Sequence, residues 1–157
     1  MTGYSEGMRL LLAALLLQGC AYVDVGFGRK VSEDELRLRT EVRAYYDDVV
    51  RAFAAGNPDA LTQLFDAAIA KPMTRDQIQA WGRKFFGEHG PARFKIEKVD
   101  YERLGYENAV VLLTYRVETK DGKGGFGGTE RDTLVKRGRR WTMTEWEVVP
   151  EAKKAVP

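Results

Sequence analysis

Asn108-Ala-Val-Val-Leu-Leu-Thr-Tyr-Arg-Val-Glu-Thr119 alternates with a period of two. Ala109, Val111, Leu113, Tyr115 and Val117 share one side, and Val110, Leu112, Thr114, Arg116 and Glu118 share the other, which is the pattern of a strand with one core face. The segment that follows, Asp121-Gly-Lys-Gly-Gly-Phe-Gly-Gly128, holds five glycines in eight residues, enough positive-φ capacity to reverse the chain. A second run, Thr129 to Arg137, is closed by Gly138. A third, Arg139 to Val149, is stopped by Pro150, which cannot donate a ladder hydrogen bond. Three consecutive runs joined by tight turns predict an antiparallel meander.

Upstream of this meander, Phe94 and Ile96 lie on one parity and Val99 and Tyr101 on the other. A strand with a bulge near Glu97-Lys98 reconciles the two, and such a bulge curves a sheet. Helices are expected before it. Ser32 and Glu35 form an S-x-x-E capping box, after which Leu36, Val42, Tyr45, Tyr46, Val49 and Phe53 recur at helical spacing until Gly56. Asn57-Pro58 restarts the chain as N-cap and first helical residue of a short helix through Leu61, Leu64 and Phe65. Ala67 to Met73 reads as a short strand. Thr74 and Gln77 then open a third helix, with Ile78, Trp81 and Phe85 on one face and Gly87, Gly90 and Pro91 at its end.

The composition suits one globular domain with a core: of 157 residues, 44% are hydrophobic and 31% charged. A net charge of +2 is too balanced to imply nucleic acid. The basic pairs Lys136-Arg137 and Arg139-Arg140 flank a turn, as a solvated hairpin tip or a contact for anionic headgroups. A single cysteine, Cys20, cannot make an internal disulfide, and no His or Cys spacing supports a metal site. The one histidine, His89, lies in the breaker-rich loop Gly87-Glu-His-Gly-Pro91 and is expected to face solvent. No cofactor is indicated.

At the amino terminus, Met8-Arg9 precedes eight Leu or Ala residues, Leu10 to Leu17, and then Gln18-Gly19-Cys20. Eight apolar residues fall far short of the roughly 20 that a spanning helix needs. The stretch resembles a bacterial lipoprotein signal peptide, with Leu17, Gly19 and Cys20 matching the lipobox. That resemblance implies removal of residues 1–19, lipidation of Cys20, a tether over residues 20–31, a domain over residues 32–150 and a tail over residues 151–157. Ala21 after the cysteine implies the outer membrane facing the periplasm, and more than one acyl chain is what stable anchoring requires.

Helix, short helix, short strand, helix and four strands make an α+β domain with helices on one face of a curved antiparallel sheet. From about Glu33 to Val149 the chain resembles the nuclear transport factor 2-like and SnoaL-like domains of the cystatin-like class. The resemblance rests on Tyr45-Tyr46-Asp47 through Gly56-Asn57, on Glu107 to Arg116, and on Arg140-Trp-Thr-Met-Thr-Glu-Trp146. It implies a cone of sheet wrapped around the first helix, but no single activity, because such domains include isomerases, dehydratases and noncatalytic modules.

The resemblance turns the Trp141 end of the last strand toward the cone. Trp141, Met143, Glu145 and Glu147 share a parity, so Glu145 is expected near the pocket, where apolar surroundings raise a carboxyl pKa as a general base needs. Alternatively, Glu145 and Glu147 lie beyond the rim and pair with Arg131 or Arg116. Tyr46, Asp47, Trp81, Tyr115, Arg131 and Trp141 complete the candidate lining; plain core packing is the alternative for Tyr46 and Trp81, and a surface ion pair for Asp47. Trp146, on the opposite parity, marks the back of the sheet as a homodimer face. Three functions follow: a lipid-anchored noncatalytic module for a small apolar ligand or a partner protein, an isomerase or dehydratase with Glu145 as base and Tyr46 or Tyr115 as donor, or a structural dimer.

Overall fold

The computed structural model describes residues 30–150; the leader, Cys20, most of the tether and the tail lie outside the described residues. Helix α1 (Glu33–Ala55) starts at Ser32, whose side chain accepts from the Glu35 N–H at 3.1 Å. Its buried stripe runs Leu38, Val42, Tyr45, Tyr46, Val49, Ala52 and Phe53, a spacing that keeps every member on one face. Leu36, expected on that stripe, is exposed, because the turn places Leu38 against the core instead. Gly56 ends the helix at φ 60°, and its N–H closes on the carbonyls of Ala52 and Phe53.

Helix α2 (Pro58–Thr62) is capped by Asn57, whose side chain accepts from the N–H groups of Asp59 and Ala60. Helix α3 (Arg75–His89) has a complete capping box: the Gln77 N–H donates to Thr74 Oγ1, and the Thr74 N–H to Gln77 Oε1. Between α2 and α3 the expected strand is absent. The segment makes only isolated bridges, Phe65 to Met143 and Lys71 to Glu145, and buries Ile69. Its alternating apolar residues anchor a loop along β4 rather than joining the sheet.

Four strands follow, β1 (Ala92–Leu104), β2 (Asn108–Thr119), β3 (Phe126–Arg137) and β4 (Arg140–Val149), in the antiparallel order β1-β2-β3-β4. The inner face of β2 is the alternating set Ala109, Val111, Leu113, Tyr115 and Val117, all buried. Register shifts fall between Ile96 and Lys98, where the parity change demands a bulge, and again between Tyr101 and Arg103. A third falls in β4: Thr133 pairs with Glu145 but Leu134 with Met143, leaving Thr144 as the extra residue. Each bulge bends its strand and raises the twist, so the sheet curls over α1.

The core lies between that inner face and the stripe of α1, and the Phe53 ring joins them, 5.1 Å from Phe94 and 5.5 Å from Phe86. His89 is half-buried rather than solvent-facing. Its Nδ1 lies 2.9 Å from Asp121 Oδ2 and its ring is packed so closely on Gly124 that a Cβ there would come within 2.5 Å. The end of α3 thereby pins the glycine-rich β2–β3 turn. At Gly56, a Cβ would sit 3.1 to 3.3 Å from Pro91 and the φ is positive. Gly56→Ala is therefore expected to lower stability by about 1–3 kcal/mol, combining αL strain with crowding. Urea unfolding checks this; an unchanged midpoint would show that the α1 terminus tolerates a side chain.

Candidate functional site

The curl of the sheet leaves a cavity of about 330 Å³ between α1, α3 and the inner faces of β2, β3 and β4. Its deep wall is built by Tyr45, Tyr46, Val49 and Phe53 of α1 and by Leu113 and Tyr115 of β2. Half-exposed Phe65, Met73, Trp81 and Trp146, with Phe126, line it toward solvent. Ring contacts hold this lining in place: Trp81 stacks on Phe85 at 5.1 Å, Phe94 on Tyr115 at 4.8 Å, and Phe65 packs against Trp146 at 5.4 Å.

Two carboxyls interrupt the apolar wall. On β3, Leu134 pairs across β2 with Ala109, Asp132 with Val111 and Glu130 with Leu113, so both acids share the parity of the core face. Asp132 has no exposed surface. Its Oδ2 accepts a 2.8 Å hydrogen bond from the Tyr46 hydroxyl, whereas Oδ1 is buried without a partner. Glu130 is half-buried and its Oε1 accepts from the Tyr115 hydroxyl at 2.6 Å. The Tyr45 hydroxyl, also buried, has no partner either.

Burial sets the protonation of this group. Desolvation, reinforced by the charge of Glu130, pushes the Asp132 carboxyl up to about 8, against the opposing hydrogen bond from Tyr46. Desolvation likewise raises Glu130, with the Tyr115 bond pulling the other way. The phenols of Tyr45, Tyr46 and Tyr115 are all raised, first by burial and then by the acids beside them, so they stay neutral donors. At neutral pH Asp132 is mostly a neutral acid able to donate as well as accept.

Among the residues singled out from the sequence, Tyr46, Trp81 and Tyr115 line the cavity. Glu145 does not. The extra residue at Thr144 inverts the parity of β4 beyond Met143, so Glu145 and Glu147 point outward and are exposed. The same inversion brings Trp146, expected on the back of the sheet, to the inner face opposite Asp132. Trp146 is therefore unavailable as the anchor of a sheet-face dimer. The outer face carries charged pairs instead, among them Lys95 with Glu118 and Arg131 with Glu102.

Arg131 lies outside the cavity, held by both oxygens of Glu102 and by Glu147, which keep its guanidinium charged. Asp47 is exposed on the solvent side of α1 with Arg43 3.7 Å away. Trp141 is core, and its indole N–H donates to Glu41 beside a second groove lined by Arg75, Arg137, Arg139 and Arg140. No group of three or more His, Cys, Asp or Glu side chains able to hold a metal ion occurs among the described residues, and no described helix is long and apolar enough to cross a membrane.

Asp132 and Glu130 escaped the sequence reading. Thr129-Glu-Arg-Asp-Thr-Leu-Val135 places Leu134 on one parity and Val135 on the other, so the strand offers no single apolar face. Following Leu134 rather than Val135 would have turned both acids inward, and the pairing with β2 settles that choice.

No family model and no curated protein matches this sequence. Solved structures do. Bd1075 of Bdellovibrio bacteriovorus superposes with a TM-score of 0.64 at 10% identity over 78% of this chain. This chain spans only 44% of Bd1075. A domain of unknown function with a cystatin-like fold from Nostoc punctiforme gives 0.56 at 13% identity, covering 75% of this chain and 80% of its own. A protein provisionally described as a scytalone dehydratase from Novosphingobium aromaticivorans gives 0.58 at 15% identity, covering 73% and 86%. The chain thus has the cystatin-like, nuclear transport factor 2-like fold.

Because the Asp132 pKa is raised on folding, the native state binds the extra proton and stability must fall as pH rises between the unfolded and folded pKa values. From about pH 5 to about pH 8 the loss approaches 1.4 kcal/mol per pH unit if Asp132 acts alone. Asp132→Asn should flatten that dependence, with a higher melting temperature than wild type at about pH 8 and little difference near pH 4. Glu145→Gln should leave the profile unchanged. Parallel wild-type and Asp132→Asn profiles would remove Asp132 from this role.

Proposed function

We propose that this domain is a binding cone for a small, mostly apolar molecule whose polar end reaches Asp132, and that Cys20 anchors it to the bacterial envelope. The observation that carries the reading is an aromatic cavity with two buried, unpartnered polar atoms at its wall, Asp132 Oδ1 and the Tyr45 hydroxyl. Buried polar atoms are normally satisfied, so two lining residues that each hold one without a partner, Asp132 and Tyr45, favour a guest that supplies the missing hydrogen bonds. The wall is also supported from behind: Asp132 is held by Tyr46, Glu130 by Tyr115, and the Tyr115 ring by Phe94. The lipobox resemblance at Leu17 to Cys20 supports the anchor and an outer-membrane address facing the periplasm.

One observation favours a second reading, proton transfer on the bound molecule. Asp132 titrates near neutrality at about 8 beside a neutral tyrosine donor, the condition an acid–base group needs. The base in that reading is Asp132 or Glu130, since Glu145 lies on the outer face.

Native mass spectrometry of the chain from Ala21 onward tests the binding reading. A reproducible small-molecule adduct is expected in the wild type, with loss of the adduct in Leu113→Trp, where the indole fills the cavity. Adduct-free wild type from gentle extraction of native cells would count against a captured ligand. Incubating the complex in heavy water separates the two readings: a captured ligand that gains deuterium at carbon supports proton transfer, and one of unchanged mass supports binding alone. Metabolic labelling with a fatty-acid analogue should mark the wild type and not Cys20→Ala; equal labelling would refute the anchor.

A further inference from the structure

The seventeen residues that line the cone include two that can carry charge at ordinary pH, Glu130 and Asp132, and both are acids. No lysine, arginine or histidine is among them. Elsewhere in the described domain many carboxylates have cations at hand: Glu41 has Lys136, Asp66 has Arg137, Glu102 has Arg131 and Glu118 has Lys95. The two acids of the cone have only phenols, Tyr46 on Asp132 and Tyr115 on Glu130. Adjacent inward positions on one strand put them about 6.5 Å apart along β3, with the free Oδ1 of Asp132 unspent.

We propose that the guest of the cone is an organic cation, an apolar body bearing a protonated amine, whose ammonium donates to Asp132 Oδ1 and lies between Asp132 and Glu130. This rests on the reading of the cone as a ligand site. An ammonium has donors and no acceptor, which matches an unpartnered carboxylate oxygen. Its charge supplies the countercharge that the protein itself withholds from this space. The aromatic lining of Trp81, Trp146, Tyr115 and Phe126 suits the rest of such a molecule, because ring faces attract a desolvated cation while solvating its apolar carbons.

Burial and the neighbouring Glu130 push Asp132 toward its neutral form. A bound ammonium reverses that balance and draws the carboxyl back to the ionised form. The groups facing Asp132 are Glu130 on its own strand, Tyr45 and Tyr46 on α1 and Tyr115 on β2; none of the three phenols ionises in the relevant range. Amine binding near neutral pH should therefore release about one proton per site, whereas binding of a neutral guest should release none.

The experiment is calorimetric titration of the purified chain with arylalkyl amines of one to three rings, each beside its matching alcohol and carboxylate, in two buffers of different ionisation enthalpy. The expected result is an amine preference of about tenfold or more over the alcohol, no carboxylate binding, and about one proton released. In Asp132→Asn the amine should lose about tenfold and the alcohol should be retained, which also shows that the variant is folded. Glu130→Gln should weaken the amine in the same direction. Equal or tighter binding of the alcohols, with no proton release, would overturn the cation and leave the ligand site standing. If no member of the series binds in any form, the ligand-site reading falls with it.

Discussion

The hydrogen bond from Tyr46 to Asp132 joins α1 to β3 across 86 residues of sequence, and both side chains are wholly buried. It fixes the helix over the sheet at the point where the cavity begins. A carboxyl in this position is costly unless it is neutral or paired, and one phenol satisfies only one of its oxygens. An aliphatic pair would have packed the same space with less electrostatic penalty. The guest proposed for the cone would supply the partner that the free oxygen of Asp132 lacks.

Curvature is the second constraint. A flat four-stranded sheet laid on α1 would close against it, but two bulges in β1 and one in β4 make this sheet curl over the helix and leave a space beneath it. The bulge at Thr144 also decides which side chains see that space. Without it Glu145 would face inward and Trp146 outward; with it, an aromatic ring takes the position opposite Asp132 and the glutamate joins the charged outer surface. One inserted residue thus exchanges a carboxylate for an indole at the cavity wall.

Much of the fold was legible. The alternation from Asn108 to Thr119, the caps at Ser32, Asn57 and Thr74, and the parity change near Glu97 are local signals, and local physics is enough to fix them. The site was only half legible. Tyr46 and Tyr115 sit on elements with clean periodicity, so their inward orientation follows from their neighbours. Asp132 and Glu130 sit on a strand whose apolar residues vote for both faces, and only pairing with β2 resolves it. The Thr144 bulge has no mark of its own either: Thr-Met-Thr-Glu-Trp contains neither glycine nor proline, and the extra residue is imposed by the pairing of β3 with β4 and by the 65–71 loop bridging onto β4. Long-range register is the information that a one-dimensional reading lacks.

The cone presents an electrostatically frustrated carboxyl at Asp132. A carbon-13 NMR titration of the aspartate carboxyl signals, with Asp132 assigned by its disappearance in Asp132→Asn, measures this directly. The expected midpoint is about 8. A midpoint at or below about 4, the ordinary range of an aspartate, would mean that the carboxyl is hydrated or paired in solution and that burial in the cone wall does not hold it neutral.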